Sequence, residues 1–505
     1  MVSLSSLFAA LRRLRGVLLP ESDAVTDRTV ASGMWSTLIN VLDRILQMGK
    51  LVVLGQLLAP GDFGLMGIAL LTMAALEQFS RLGFDEALIQ RKEDDINEYL
   101  NTAWVMKVCR GIVLGVLAFA AAPYVASAFG EPRATNLIRV LALVPLITGF
   151  QNPGIIYFRK DLQFHKQFIY KISGTFAEVS IAVAFAIVFE NVWALVFGLL
   201  AGNAAIATVS YLIHDYRPSI EFNLEFAKEL FSYGKWLTIQ GGLIFIVNQG
   251  DDAFVGWFLT ATALGYYQFA YKFSNAPATE VSHVISSVVF PAYSKIQDDI
   301  DQLREGFYRT LNLTMFLSFP MATGIAVIAP SFVLTFLGEK WLPIVPAMQV
   351  LAAWGLLRSI GATVGPLFNA VGRPDYNTKF QIFKVIFMAI FILPATEAYG
   401  IVGTAAVVVG HTLITNPVAD YLAINIVEGS YRRFLANLAY PAVGSLLMGS
   451  TVFAVDATYS TSWHLLDFIL LVGLGVLTYA VVMLVITLLT GYEIRDTVST
   501  LKSAV

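Results

Sequence analysis

GMWSTLINVLDRILQMGKLVVLGQLLAPGDFGLMGIA, Gly33 to Ala69, comes back 201 residues later as GKWLTIQGGLIFIVNQGDDAFVGWFLTATALGYYQFA, Gly234 to Ala270. Ten positions are identical without a gap: Gly33, Trp35, Thr37, Leu42, Ile45, Gly49, Gly55, Leu58, Gly64 and Ala69 meet Gly234, Trp236, Thr238, Leu243, Ile246, Gly250, Gly256, Leu259, Gly265 and Ala270. A chain this rich in Leu, Ala and Gly gives about three by chance. One pair matches two tryptophans, which rarely coincide. The chain is therefore built from two related sets of elements.

Those elements are membrane helices. The chain of 505 residues is 57% hydrophobic and 14% charged, with a mean hydropathy of +0.68. Soluble domains carry about 25% charged residues. A spanning helix needs about 20 apolar residues. Fourteen such segments are predicted: 30–55, 62–81, 103–128, 135–157, 167–189, 192–213, 229–258, 262–291, 309–336, 341–370, 377–396, 400–424, 434–454 and 465–490. With the N-terminus placed inside, 21 Lys and Arg fall on inner connections and tails, and only Arg133 and Lys340 fall outside. The positive-inside rule then puts both termini in the cytoplasm. Spans 1 and 7 both start inside, so the repeat is parallel, with its axis along the membrane normal.

The fold expected is an all-α polytopic membrane protein. It has two parallel, pseudo-symmetric lobes of six helices, followed by two appended helices. The divisions are a cytoplasmic amphipathic arm at 1–28, an N-lobe at 29–214, a C-lobe at 215–425, and the last two helices with a tail at 426–505. The expected location is the plasma or inner membrane, crossed many times. Gly198 and Gly202, in GLLAG, predict a close helix contact in span 6. Pro145, Pro153, Pro320, Pro330, Pro343 and Pro346 predict kinks.

Several functions are excluded. A net charge of −3 implies no nucleic-acid partner. No phosphate-cradling GxxxxGK[ST] loop and no HExxH zinc motif occurs, and the five histidines lack ligand spacing. No enzyme, cofactor or metal is expected. Cys109, the single cysteine, reads as inert helix packing.

The repeat carries charge where a membrane helix should not. Asn40, Asp43, Gln47 and Lys50 are three, four and three residues apart. They form one helical face, with Arg44 beside it. Ser36 to Lys50 covers about 21 Å of rise. A charge facing lipid costs about 3 kcal/mol, so the stripe must face protein or water. Asn248, Asp251 and Asp252 make a similar face in span 7, with Gln47 mapping to Asn248 and Lys50 to Asp251. Two readings follow. The stripes line an aqueous cavity between the lobes, with Lys50 and Asp251 as a gate, or the charges pair as structural ion pairs. Lys272, Arg358 and Lys384 would give a cavity a cationic surplus, suited to a phosphate or pyrophosphate. Glu178, at a span centre, is a candidate for ion coupling or for pairing with a neighbouring base. Lys107, Arg110, Lys171 and Lys235 lie near the inner ends of their spans and read as snorkelling.

Several stretches carry a resemblance. SRLGFDEALIQRKE (Ser80 to Glu93), FGEP (Phe129 to Pro132), VWALVFGLLAG (Val192 to Gly202), VVFPAYSKIQDD (Val288 to Asp299) and LGEKWLPIVPAM (Leu337 to Met348) resemble the Wzx-type polysaccharide flippases. Those belong to the multidrug/oligosaccharidyl-lipid/polysaccharide exporter superfamily. NQGDDAFVGWFL looks like that family's seventh helix, with an acidic residue where Asp252 stands. The resemblance implies twelve to fourteen helices in two lobes. It also implies a polyprenyl phosphate- or pyrophosphate-linked oligosaccharide as cargo, moved from the inner to the outer leaflet by alternating access. Membrane lipids and glycan-assembly proteins are the further partners implied. An ion-coupled multidrug or toxin extruder of the same superfamily is the alternative within transport, and it would want an acidic cavity. A non-transporting scaffold of a glycan-assembly complex is the alternative outside it.

Overall fold

A computed structural model describes residues 25–80, 97–161, 163–458, 464–490 and 492. Most of the N-terminal arm, the SRLGFDEALIQRKE motif beyond Ser80 and most of the C-terminal tail lie outside them, as does the side chain of Lys235. Among the described residues all regular structure is helical. Contacts divide the chain into two compact units, one ending at Thr262 and the other beginning at Ala263.

The first unit holds α1 (Val25–Leu57), α2 (Pro60–Gln78), α3 (Asn97–Ala128), α4 (Ala134–Leu141), α5 (Leu143–Gly149), α6 (Tyr157–Lys160), α7 (Phe164–Phe189), α8 (Trp193–Ile213) and α9 (Leu224–Phe258). α4 and α5 break at Ala142, where Pro145 has no N–H to return to Leu141. Together they meet the Pro153–Lys160 segment at 71°, so the fourth predicted span is bent. α9 is the helix the repeat places at the head of the second set. It packs on α2 and α3, and the first compact unit runs past it to Thr262.

The second unit holds α10 (Ala261–Ile296), α11 (Ile300–Phe336), α12 (Val345–Ala370), α13 (Pro374–Ile426), α14 (Tyr431–Thr458) and α15 (His464–Thr490). α13 would rise about 80 Å if straight, far beyond a bilayer core of about 30 Å. It is not straight. Gly400 has φ +57° and ψ −139°, a left-handed backbone that only glycine adopts without strain. The Oγ1 atoms of Thr396 and Thr404 lie 2.8 Å apart, where eight residues of straight helix would separate them by about 12 Å. The chain therefore doubles back at Gly400. Its two arms match the predicted spans 377–396 and 400–424.

Eight helices among the described residues are long and apolar enough to cross a membrane, or nine if the bent pair is one span. α15 shows why water is not their solvent. Its buried residues are Leu471, Gly475, Tyr479 and Met483, one stripe at four-residue spacing. The rest of its surface presents Leu466, Ile469, Leu470, Val476, Leu477 and Leu484, all exposed. An amphipathic helix in water would be polar there. Cys109 is exposed and does not fill a helix contact as expected.

The connection from α8 to α9, His214–Asn223, is strapped down along its length. Asn152 donates from Nδ2 to the Tyr216 carbonyl at 2.7 Å. Tyr216 donates its hydroxyl to Asn101 Oδ1 at 2.6 Å, and Ser219 N–H donates to the same oxygen at 3.0 Å. Asn223 N–H donates to Thr102 Oγ1, and Asn223 caps α9 with its own Oδ1. Burial, then Glu221 and Tyr157, push the Tyr216 hydroxyl up to about 12, so it stays a donor. His214 Nδ1 accepts the Tyr216 N–H at 3.1 Å, which requires a neutral ring. Burial and the nearby Lys166 lower the His214 pKa below its ordinary 6.5. A depressed histidine pKa means that the strap is intact above 6.5 and loosens as pH falls from there through the folded value. Hydrogen exchange over 214–223, corrected for intrinsic rate, is expected to rise severalfold between about pH 7.5 and about pH 5. His214→Gln is expected to flatten that dependence.

Candidate functional site

The stripe that opens the repeat lies against α7. Trp35 meets Phe168 with ring centroids 5.2 Å apart. Farther along, Thr175 Oγ1 donates to Asp43 Oδ1 at 2.6 Å. Beyond that, Lys50 Nζ lies 2.5 Å from Glu178 Oε1, and Gln47 Nε2 approaches Glu178 Oε2 at 3.4 Å. The contact numbers rise together on both helices, so α1 and α7 run parallel. Spans 1 and 5 must do so if both start on the same side.

α8 fixes the position of α7. A Cβ on Gly198 would sit 2.6 Å from Ala182 Cβ, and one on Gly202 would sit 2.9 Å from Glu178 Cβ. Only hydrogen fits at these two positions, as the GLLAG pattern predicts. The close approach seats the Glu178 backbone on α8 and leaves its carboxylate toward α1. The Lys50 and Glu178 side chains are 13% and 19% exposed. A lone charge in that setting would be costly, and the pair with its added amide donor satisfies both.

The other predicted residues sort by unit. In the first, Asn40 and Asn248 are exposed, Arg44 and Asp252 are half-buried, and Asp251 is buried. In the second, Lys272 and Arg358 are exposed and Lys384 is half-buried. Arg358 lies over the Trp354 ring at 5.4 Å, and Lys384 is within electrostatic reach of His411. The structure thus joins Asp43, Gln47, Lys50 and Glu178 through α1 and α7. It gives the Lys50 ammonium a short contact with Glu178, for which a neighbouring base was one of the two expectations. The reason is register: Asp43, Gln47 and Lys50 fall about one turn apart on the face of α1 that meets α7.

Three features were missed in the sequence. Thr175 is the partner of Asp43. The return arm of α13 carries its own polar stripe at four-residue steps, Thr412, Asn416 and Asp420, with His411 and Thr415 beside it. There Asn416 Nδ2 donates to the Leu357 carbonyl at 2.8 Å, while His411, Thr412 and Asp420 are buried. That spacing was readable and would have found it. Arg110 does not simply snorkel: Nε donates to the Ser80 carbonyl at 2.8 Å and Nη2 to that of Glu77 at 3.2 Å. It closes the carbonyl end of α2, where a cation is favoured.

A protein family described as "Polysaccharide biosynthesis protein" matches residues 53–346, more than half of the chain. The lipopolysaccharide biosynthesis protein WzxC of Escherichia coli K12 is 28% identical over 430 residues, 84% of this chain and 86% of that one. The teichuronic acid biosynthesis protein TuaB of Bacillus subtilis 168 is 24% identical over 438 residues, 86% of this chain and 90% of that one. Among solved structures, the lipid II flippase MurJ matches with a TM-score of 0.73 at 14% identity, covering 90% of this chain and 98% of the other. A multidrug resistance MATE family transporter matches with a TM-score of 0.62 at 15% identity, over 83% and 98% of the two chains. These two likenesses are of fold. The chain belongs to the polysaccharide biosynthesis protein family.

Proposed function

We propose that this protein is a flippase for a polyprenyl phosphate- or pyrophosphate-linked oligosaccharide, carrying it from the inner to the outer leaflet for surface glycan biosynthesis. The observation that carries this reading is the largely enclosed Lys50–Glu178 pair on helices of a membrane chain. A phosphate and many hydroxyls cannot cross hydrocarbon unaided, because their desolvation is prohibitive. They need polar groups held inside the membrane, and lysine is a compact charge suited to phosphate. Relatives named for lipopolysaccharide, teichuronic acid and succinoglycan biosynthesis support the cargo class.

The finer reading has fourteen spans, both termini in the cytoplasm of a cell with its surface glycan outside, and two six-helix lobes with two appended helices. In it, Asn40, Arg44, Gln47, Lys50, Asn248, Lys272, Arg358 and Lys384 serve the headgroup, while Asp43, Lys50, Asp251, Asp252 and Glu178 serve gating or coupling. The lipid tail stays in the bilayer while the headgroup moves. The full chain, purified in mild detergent from its own host, is expected to carry a saccharide linked to polyprenyl phosphate, read by native mass spectrometry. A bound organic cation in its place would favour the extruder reading.

A further inference from the structure

We propose that Glu178 is a built-in substitute for the cargo's phosphate, holding the Lys50 ammonium until a lipid-linked phosphate displaces it. The inference rests on the flippase reading and adds how its cation site is kept when no cargo is there.

The geometry supports an exchange. Lys50 Nζ sits 2.5 Å from one oxygen of Glu178. The other oxygen faces the Gln47 amide at 3.4 Å, so a displaced carboxylate keeps a donor. Asp43 takes the Thr175 hydroxyl, so of these two carboxylates at the α1–α7 contact it is Glu178 that holds Lys50. The Glu178 backbone is pinned by the close approach of Gly198 and Gly202. The long lysine stem on α1 is free of that constraint, so the ammonium is the group that shifts. Anion exchange never strips the ammonium of a partner, and the ammonium stays charged throughout. Removing the carboxylate's charge while keeping its shape should then favour the incoming phosphate.

The test is equilibrium binding to the purified full chain, with undecaprenyl phosphate as one probe and inorganic pyrophosphate as the other. Glu178→Gln keeps the volume against Gly202, and a monodisperse size-exclusion profile establishes that it folds. It is expected to bind undecaprenyl phosphate about tenfold tighter than the wild type. Lys50→Gln is expected to weaken binding, and the double variant should show no gain from the Glu178 change. Glu178→Asp, which keeps the charge but shortens its reach, should bind only slightly tighter than the wild type. Should Glu178→Gln fail to fold, a Glu178→Asp protein no tighter than the wild type overturns the exchange. If the wild type binds and Glu178→Gln binds no tighter, the exchange is overturned and the flippase reading stands. If only inorganic pyrophosphate gains, the lipid-linked source is wrong. If no form binds undecaprenyl phosphate, both readings fall.

Discussion

A leucine at Gly202 is expected to unseat α7 and take the Lys50–Glu178 pair with it. A single Cβ there would already stand 2.9 Å from Glu178 Cβ and 3.1 Å from the Gly174 carbonyl oxygen. A whole leucine cannot be absorbed by one rotamer change, because backbone lies against backbone. Overpacking of this kind costs about 3 kcal/mol, a large share of a marginal stability. The readout is the monodisperse peak of a fluorescent fusion on size exclusion, which should largely vanish. Gly473 supplies the control, since nothing lies within 4 Å of its would-be Cβ. Gly473→Leu on α15 should leave that peak unchanged. Equal losses in both variants would mean that the α7–α8 contact is not what holds this part of the fold.

The second large effect is at Lys50. Lys50→Ala leaves Glu178 with the Gln47 amide alone, in a setting where its side chain is 19% exposed. Deleting one member of a largely buried pair costs about 3 kcal/mol, mostly from the charge left behind. Transport should be lost as well, because the headgroup loses its cation. Stability and transport can be separated by replacing both charges. Lys50→Met with Glu178→Met should recover most of the thermal stability and none of the flipping. Flipping by the double methionine variant at the wild-type rate would reduce the pair to a structural contact.

Much of this fold could be read from the residues before any coordinates. Composition and hydropathy announced a chain of membrane-length helices, and among the described residues all regular structure is helical, with eight or nine helices fit to cross a membrane. GLLAG predicted the α7–α8 contact because glycine spacing records backbone approach directly. The turn between spans 11 and 12 was legible too, since both segments were too apolar to be one helix longer than a bilayer. What the residues did not give was the partner of Lys50. Glu178 lies 128 positions away, and their meeting depends on the rotation and height of two packed helices. Hydropathy and periodicity fix a face, not the neighbour that covers it. The repeat pointed to Asp251, which maps to Lys50, and an alignment of the chain on itself carries no signal of which side chain of α7 lies against α1. The polar face of the return arm of α13 was overlooked for a different reason. Its polar residues are few and sit in a strongly apolar span, so an average over the span hides them.

The most direct test of the central claim is the fate of lipid-linked oligosaccharide in cells that lack this protein. The amount accumulated would be measured by mass spectrometry, and its leaflet by accessibility to a membrane-impermeant glycosidase or lectin. The expected result is a build-up confined to the cytoplasmic face, with loss of the surface glycan and recovery of both by the wild-type chain. Intact surface glycan with no accumulation, in cells without a second protein of this family, would contradict the flippase account.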